Sequence, residues 1–405
     1  MVREKVRLRK SLPLALDWLV DIAMMKTESL SSEQNSHKLE HKYWKGAIKG
    51  EYSVATKTWD FFSPIWHTGQ AIKALIMAIE LEFLDREKYL NAAVECADFI
   101  LKNQIWDKKN VDHGLILAFE DIAGIVNTSA ILECLDGLFY LASATHKKIY
   151  QERALEAVKF VKNKLYLKGQ GTFLDGYDYK NHKAIASYNY EPQEENHVGR
   201  PLNDDSIFLK AWYLTKDDEY AEIFWELCEK LIQDEYPPGN WIRYLPCNSY
   251  TGAIHPRHAY WWGRPFLKAY KERKEEKYLA IATRAADWYV KAIRKDGGLF
   301  RNTYIDFSSD SFGHATSGVA CAIIFWLDMK RITGTKKYDA LIKKCLNFCL
   351  KMQFTNPKDE NLRGCILEKV LPPWTFKGSD ASPYYIRDLG TIFFIQAAAK
   401  YLTFT

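Results

Sequence analysis

Five stretches of the chain open in the same way: a short charged turn, a tyrosine, then a helix with one face of small residues. The tyrosines are Tyr89, Tyr150, Tyr220, Tyr278 and Tyr338, spaced by 61, 70, 58 and 60 residues. After each, small or apolar residues fall at +4, +7, +8 and +11, as Ala93, Cys96, Ala97 and Ile100 do after Tyr89. That period describes one face of an α-helix. Before each charged turn lies a more apolar helix, such as IWHTGQAIKALIMAIELEF or HATSGVACAIIFWLDM. A last apolar helix at 389–401 and an early amphipathic helix at 11–25 complete six of each kind. The period is longer than the roughly 33–47 residues of common helical solenoids. Six helix pairs predict an all-α fold, an (α/α)6 barrel with an inner apolar ring and an outer amphipathic one, as one domain over residues 1–405.

Composition narrows the function classes. A net charge of +5, with no dense basic tract beyond the first ten residues, argues against nucleic acid as the partner. The cysteines form no C-x-x-C pair and sit in apolar helical patterns, so they read as buried reduced thiols and not as a zinc site. The basic start runs into an apolar stretch broken by Asp17 and Asp21, with no cleavage site, which argues against a secretory signal. No apolar run reaches the roughly 18 residues of a membrane span. The expectation is a cytoplasmic protein with no membrane partner. No metal or organic cofactor is demanded. Aromatic residues reach 14%, with 13 Trp and 24 Tyr, an excess that suits both a large helical core and platforms for sugar rings.

In such a barrel the inner helices run in one direction, so their N-termini meet at one rim, where helix dipoles favour anions. The six starts carry Trp66 and His67; Asp121; Arg200 with Asp204 and Asp205; His258, Tyr260, Trp261, Trp262 and Arg264; His314 and Thr316; and Tyr384 with Arg387. Carboxylates, histidines, arginines and tryptophans are the parts of a sugar site: aromatic faces stack on pyranose rings, and one or two carboxyl groups flank a scissile bond. Asp204 and Asp205 also suit a helix cap. Arg264 suits a clamp on an acidic sugar. Three long irregular segments, 26–60, 177–200 and 355–387, add Tyr190, His197 and Trp374 as candidate substrate contacts.

Several of these segments resemble the six-hairpin glycosidases, especially the unsaturated glucuronyl and rhamnogalacturonyl hydrolases, over roughly Asp121 to Leu327. NDDSIFLKAWYL resembles their third inner helix and its D-D pair. EDIAGIVNTSA resembles the second, matching Asp121. YWWGRPFLKAY resembles the aromatic-x-R segment, matching Arg264, and GLFRNTYID with GHATSGVACAIIFWL resembles the fifth hairpin. Pro265 and His314 depart from that pattern. The resemblance implies that Asp204 or Asp205, with Asp121, protonates the vinyl-ether double bond of a 4,5-unsaturated uronate. Water then adds, and the hemiketal collapses to release the neighbouring sugar. The partner would be an oligosaccharide or polysaccharide.

Two rival classes stay open. The same toroid supports polysaccharide lyases and sugar epimerases, which move a ring proton with Tyr or His; Tyr190, His197, Arg200, His258 and Tyr260 would serve them. A non-catalytic carbohydrate-binding protein would tolerate loss of Asp204 and Asp205. Prenyl-chain cyclases rank low, because no D-D-x-x-D or D-x-D-D motif occurs.

Overall fold

The computed structural model describes residues 2–120, 123–186, 199–310, 313–370 and 384–404. Twelve α-helices are present among them. The inner ring is α2 (Pro64–Ala78), α4 (Thr128–Thr145), α6 (Ile207–Thr215), α8 (Phe266–Arg273), α10 (Thr316–Thr333) and α12 (Asp388–Phe404). The outer ring is α1 (Val2–Asp17), α3 (Arg86–Lys102), α5 (Lys148–Lys164), α7 (Asp218–Gln233), α9 (Glu276–Ala292) and α11 (Asp339–Lys351). The ring closes: α12 packs on both α10 and α2, and α1 packs on α11 and α12.

The two rings differ for a simple reason. Inner helices α2, α10 and α12 are buried nearly all round, so they are apolar nearly all round. Outer helices bury only the face predicted by the tyrosine repeat, as Ala282, Ala285, Ala286 and Tyr289 show in α9. The repeat tyrosines are buried, and three of them give their hydroxyl groups to carboxylates: Tyr89 to Asp17, Tyr278 to Glu229 and Tyr338 to Asp287. The first helix starts nine residues earlier than its apolar pattern suggests. Arg7, Arg9 and Lys10 are exposed, while Leu8, Leu12, Ala15 and Leu16 enter the core. A π-helical turn at Trp18–Ala23 extends it, and a second at Ala259–Gly263 leads into α8.

Short strands cap the rim. β1 (Gly50–Ser53), β2 (Thr58–Phe61), β8 (Lys369–Val370) and β9 (Tyr384–Arg387) form an antiparallel sheet in the order β2-β1-β9-β8. β9 feeds directly into α12, and β3 (Ile125–Asn127) into α4. β3 pairs with β6 (Gly176–Asp178), which pairs with β7 (Lys183–Ile185), and β4 (Tyr166–Leu167) pairs with β5 (Thr172–Phe173).

One device recurs in every helix pair. Gly46, Gly114, Gly171, Gly239, Gly297 and Gly364 all have positive φ. In each, a Cβ would fall 2.0–2.8 Å from a carbonyl oxygen of an outer helix: that of Glu95, Glu156, Glu226, Arg284, Lys344 and Leu14, in turn. Only glycine combines this backbone with this approach. The sixth contact, Gly364 on Leu14 of α1, joins the end of the ring to its beginning.

Candidate active site

A cavity of about 370 Å³ opens at the N-terminal ends of the inner helices. Its position follows from the junction before α6. Asp205 and Ser206 both have left-handed backbone, φ 51° and 56°, unusual for residues with a Cβ. Such a conformation costs about 1–3 kcal/mol per residue and tends to occur at functional sites. Here it turns two adjacent carboxylates apart: Asp204 lines the cavity, and Asp205 faces a second cavity toward the other mouth.

Asp204 is 4% exposed, and the Trp262 side chain approaches its carboxyl. Burial, then the charge of Asp205, pushes its pKa up to about 7. Asp205 is held well below the usual carboxylate range, because Lys73, Lys210 and Arg264 outweigh its burial. Its oxygen lies 2.7 Å from Lys73 Nζ and 3.0 Å from Arg264. Across the cavity Glu133 of α4 is also raised, by burial and then by Asp204. The site thus holds two neighbouring carboxyls whose pKa values are both raised by burial and by each other's or a neighbour's charge.

Aromatic and cationic groups surround these acids. Trp66 and Trp261 approach at 6.3 Å between ring centroids, and the Arg257 guanidinium lies over both, 5.5 and 5.1 Å from their centres. His255 stacks flat on Trp261 at 5.0 Å. Trp262 turns its ring toward Trp241, Tyr244 and His258 and reaches the cavity at an edge. Burial lowers His258 to about 3, and its Nδ1 lies 2.8 Å from Cys247 Sγ. His255 is lowered by burial and then by Arg257. Both imidazoles are therefore neutral.

Four arginines line the same space. Arg200 binds Asp175 at 2.6 Å, and Arg387 binds its cross-strand partner Glu51. Arg257 donates to Ser317 at 2.8 Å and lies 3.7 Å from buried Glu368. Arg301 lies 3.9 Å from the same Glu368. Arg257 Nε and one terminal nitrogen of Arg301 make no hydrogen bond among the described residues. Burial, then Arg387 and Arg257, lowers Arg301 to about 10. Two buried guanidinium donors without acceptors among the described residues suit a carboxylate.

The structure gathers Trp66, Arg200, Asp204, His258, Trp261, Trp262 and Arg387 around this cavity. Other expected site residues lie elsewhere. Arg264 and Tyr260 face the second cavity, where Arg264 binds Asp328 at 2.8 Å; Arg257 supplies the guanidinium near the tryptophans instead. His67 is fully buried and binds Asp388 at 2.6 Å, tying α2 to α12. Thr316 donates to the Leu367 carbonyl, and His314 sits against Arg294 and Phe348. Tyr384 belongs to β9. Asp121, Tyr190, His197 and Trp374 lie outside the described residues. Glu133, Arg301 and Glu368 were not singled out by sequence reasoning. Glu133 had a usable signal, since α4 carries two carboxylates, Glu133 and Asp136, among mostly apolar residues.

No protein-family model and no curated protein matches the chain. Solved structures do match. The crystal structure of an unsaturated glucuronyl hydrolase specific for heparin superposes with a TM-score of 0.65 at 14% identity, covering 98% of this chain and 97% of that one. Cellobiose 2-epimerase from Bacillus thermoamylovorans gives 0.68 at 11%, covering 100% of both. An α-1,6-mannanase from a Salegentibacter species gives 0.60 at 12%, covering 98% of this chain and 100% of that one. The three neighbours are a hydrolase, an epimerase and a mannanase, and the architecture they share is an (α/α)6 barrel, which is the fold of this chain.

Proposed function

We propose that the protein is a glycoside hydrolase acting on oligosaccharides that carry a uronate, with Asp204 as the proton donor. The observation that carries this reading is Asp204 itself, a buried carboxyl with pKa raised to about 7, in a cavity walled by tryptophan and arginine. A general acid works best when its pKa lies near the working pH. Trp66 and Trp261 offer stacking faces, and Arg257 with Arg301 offers donors to a sugar carboxylate. The mannanase neighbour supports the reading, since its structure is of an inactive variant with two consecutive aspartates replaced by asparagine. The glucuronyl hydrolase neighbour supports the uronate.

For a 4,5-unsaturated uronate, Asp204 gives its proton to the vinyl-ether carbon, and water adds to the resulting cation at the neighbouring ring carbon. The hemiketal then opens and releases the aglycone sugar, returning a proton to the site. The test is ultraviolet absorbance of the conjugated double bond in lyase-generated uronyl oligosaccharides. The expected result is a fall, slowed by about 10²–10⁴-fold in Asp204→Asn. A rise on intact polysaccharide would replace the hydrolase with a lyase.

A second reading rests on His255 and His258, two neutral imidazoles at the cavity wall, and is a sugar epimerase. It would change a reducing-end sugar without creating new reducing ends, a difference that chromatography resolves.

A further inference from the structure

A second cavity, of about 120 Å³, opens at the opposite mouth, among the C-terminal halves of the inner helices. Six cations line it or bridge its wall: Lys73, Lys210, Arg264, Lys268, Arg331 and Lys400. Three carboxylates form ion pairs with them, Asp136, Asp205 and Asp328, and a fourth carboxyl, Glu133, also lines the space. Each of the three is already shared between two of the cations. Asp136 takes Lys73 at 2.7 Å and Lys210; Asp205 takes Lys73 and Arg264; Asp328 takes Arg264 at 2.8 Å and Lys400 at 2.6 Å.

Lys268 and Arg331 are left over. Neither has a carboxylate partner among the described residues. Arg331 is in the last turn of α10, where a cation also answers the helix dipole. Lys268 lies in α8, which continues the π-helical turn at Ala259–Gly263, with its ammonium on the cavity wall. It is half-buried, and burial, then Arg264 and Lys210, lowers its pKa, because the charge of Asp328 offsets them only in part. Lys400 is lowered to about 8, by burial first, although Asp328 binds it.

From this surplus of fixed cations around an enclosed space we infer that the second mouth is a binding site for a small multivalent oxyanion of the phosphate class, held by Lys268, Arg331 and the outer faces of Lys210, Arg264 and Lys400. A phosphate group matches the cavity in size and the surplus in sign. The shared chemistry covers free phosphate and a phosphate ester on a small metabolite. The site is separate from the cavity of Asp204, although Trp261 and Glu133 touch both.

The experiment is isothermal titration of the full chain with inorganic phosphate, and in a second arm with glucose 6-phosphate, at constant ionic strength. Saturable binding is expected, weakened about tenfold or more in Lys268→Ala. Arg331→Ala serves as a second variant at an exposed position, and both should fold like the parent by circular dichroism. Arg301→Ala, in the other cavity, should leave phosphate binding unchanged. Tighter binding of the ester would name esters as the ligand, and equal binding would name the free anion. The inference is overturned if neither compound binds, if Lys268→Ala and Arg331→Ala bind as the parent does, or if only Arg301→Ala loses binding. None of these outcomes touches the hydrolase reading, which the absorbance assay tests alone.

Discussion

Asp204 and Asp205 are adjacent in the chain yet face opposite ends of the barrel, and their acidities diverge accordingly. A carboxyl whose folded pKa is raised contributes most below its unfolded pKa, and that contribution is lost as pH rises through the folded value. For Asp204 the window runs from the ordinary carboxylate range up to about 7. Asp204→Asn should therefore stabilise the fold more at about pH 8 than at about pH 5, by roughly 1–4 kcal/mol. Urea unfolding at both pH values measures this, and an equal difference at the two would refute it. The D-D pair is visible in the sequence. What is not visible is the left-handed backbone at Asp205 and Ser206 that sends the two side chains apart. Arg257 and Arg264 show the same limit. Both lie in one short aromatic segment, and the π-helical turn between them decides which faces which mouth.

At the scale of elements, the helical face after each repeat tyrosine was legible because outer helices bury one side only. The rim strands were not, since two or three residues of extended chain carry no period of their own. Nor was the glycine seal, because its six members follow helices at irregular distances. Its energetics are testable by contrast. Gly46 has φ 90° and its Cβ would lie 2.1 Å from the Glu95 carbonyl, whereas Gly334 has φ 72° and open space around it. Gly334→Ala should cost about 1 kcal/mol, from backbone strain alone. Gly46→Ala should cost about 2–4 kcal/mol, because strain and a backbone clash add. Thermal unfolding of the two variants separates them, and similar losses would show that the seal does not contribute.

Over the whole molecule, a modest net charge of +5 conceals two charged mouths, one with arginines and carboxyls in equal number and one with more cations than carboxylates. Sequence arithmetic cannot see that division, since only the closed ring assigns each side chain to an end. Closure itself rests on the same kind of contact used between all neighbours: Gly364 meets Leu14 as Gly46 meets Glu95. The ring thus has no privileged seam. Glu4 of α1 is close enough to Tyr401 of α12 to perturb it, so the two ends of the described chain are neighbours. A circular permutant, with those ends linked and the chain reopened in the exposed turn at Thr333–Lys337, should fold to the same barrel. Its circular dichroism and unfolding midpoint should match those of the parent. A molten or unfolded product would mean that the order in which the hairpins are made matters as well as the seal between them.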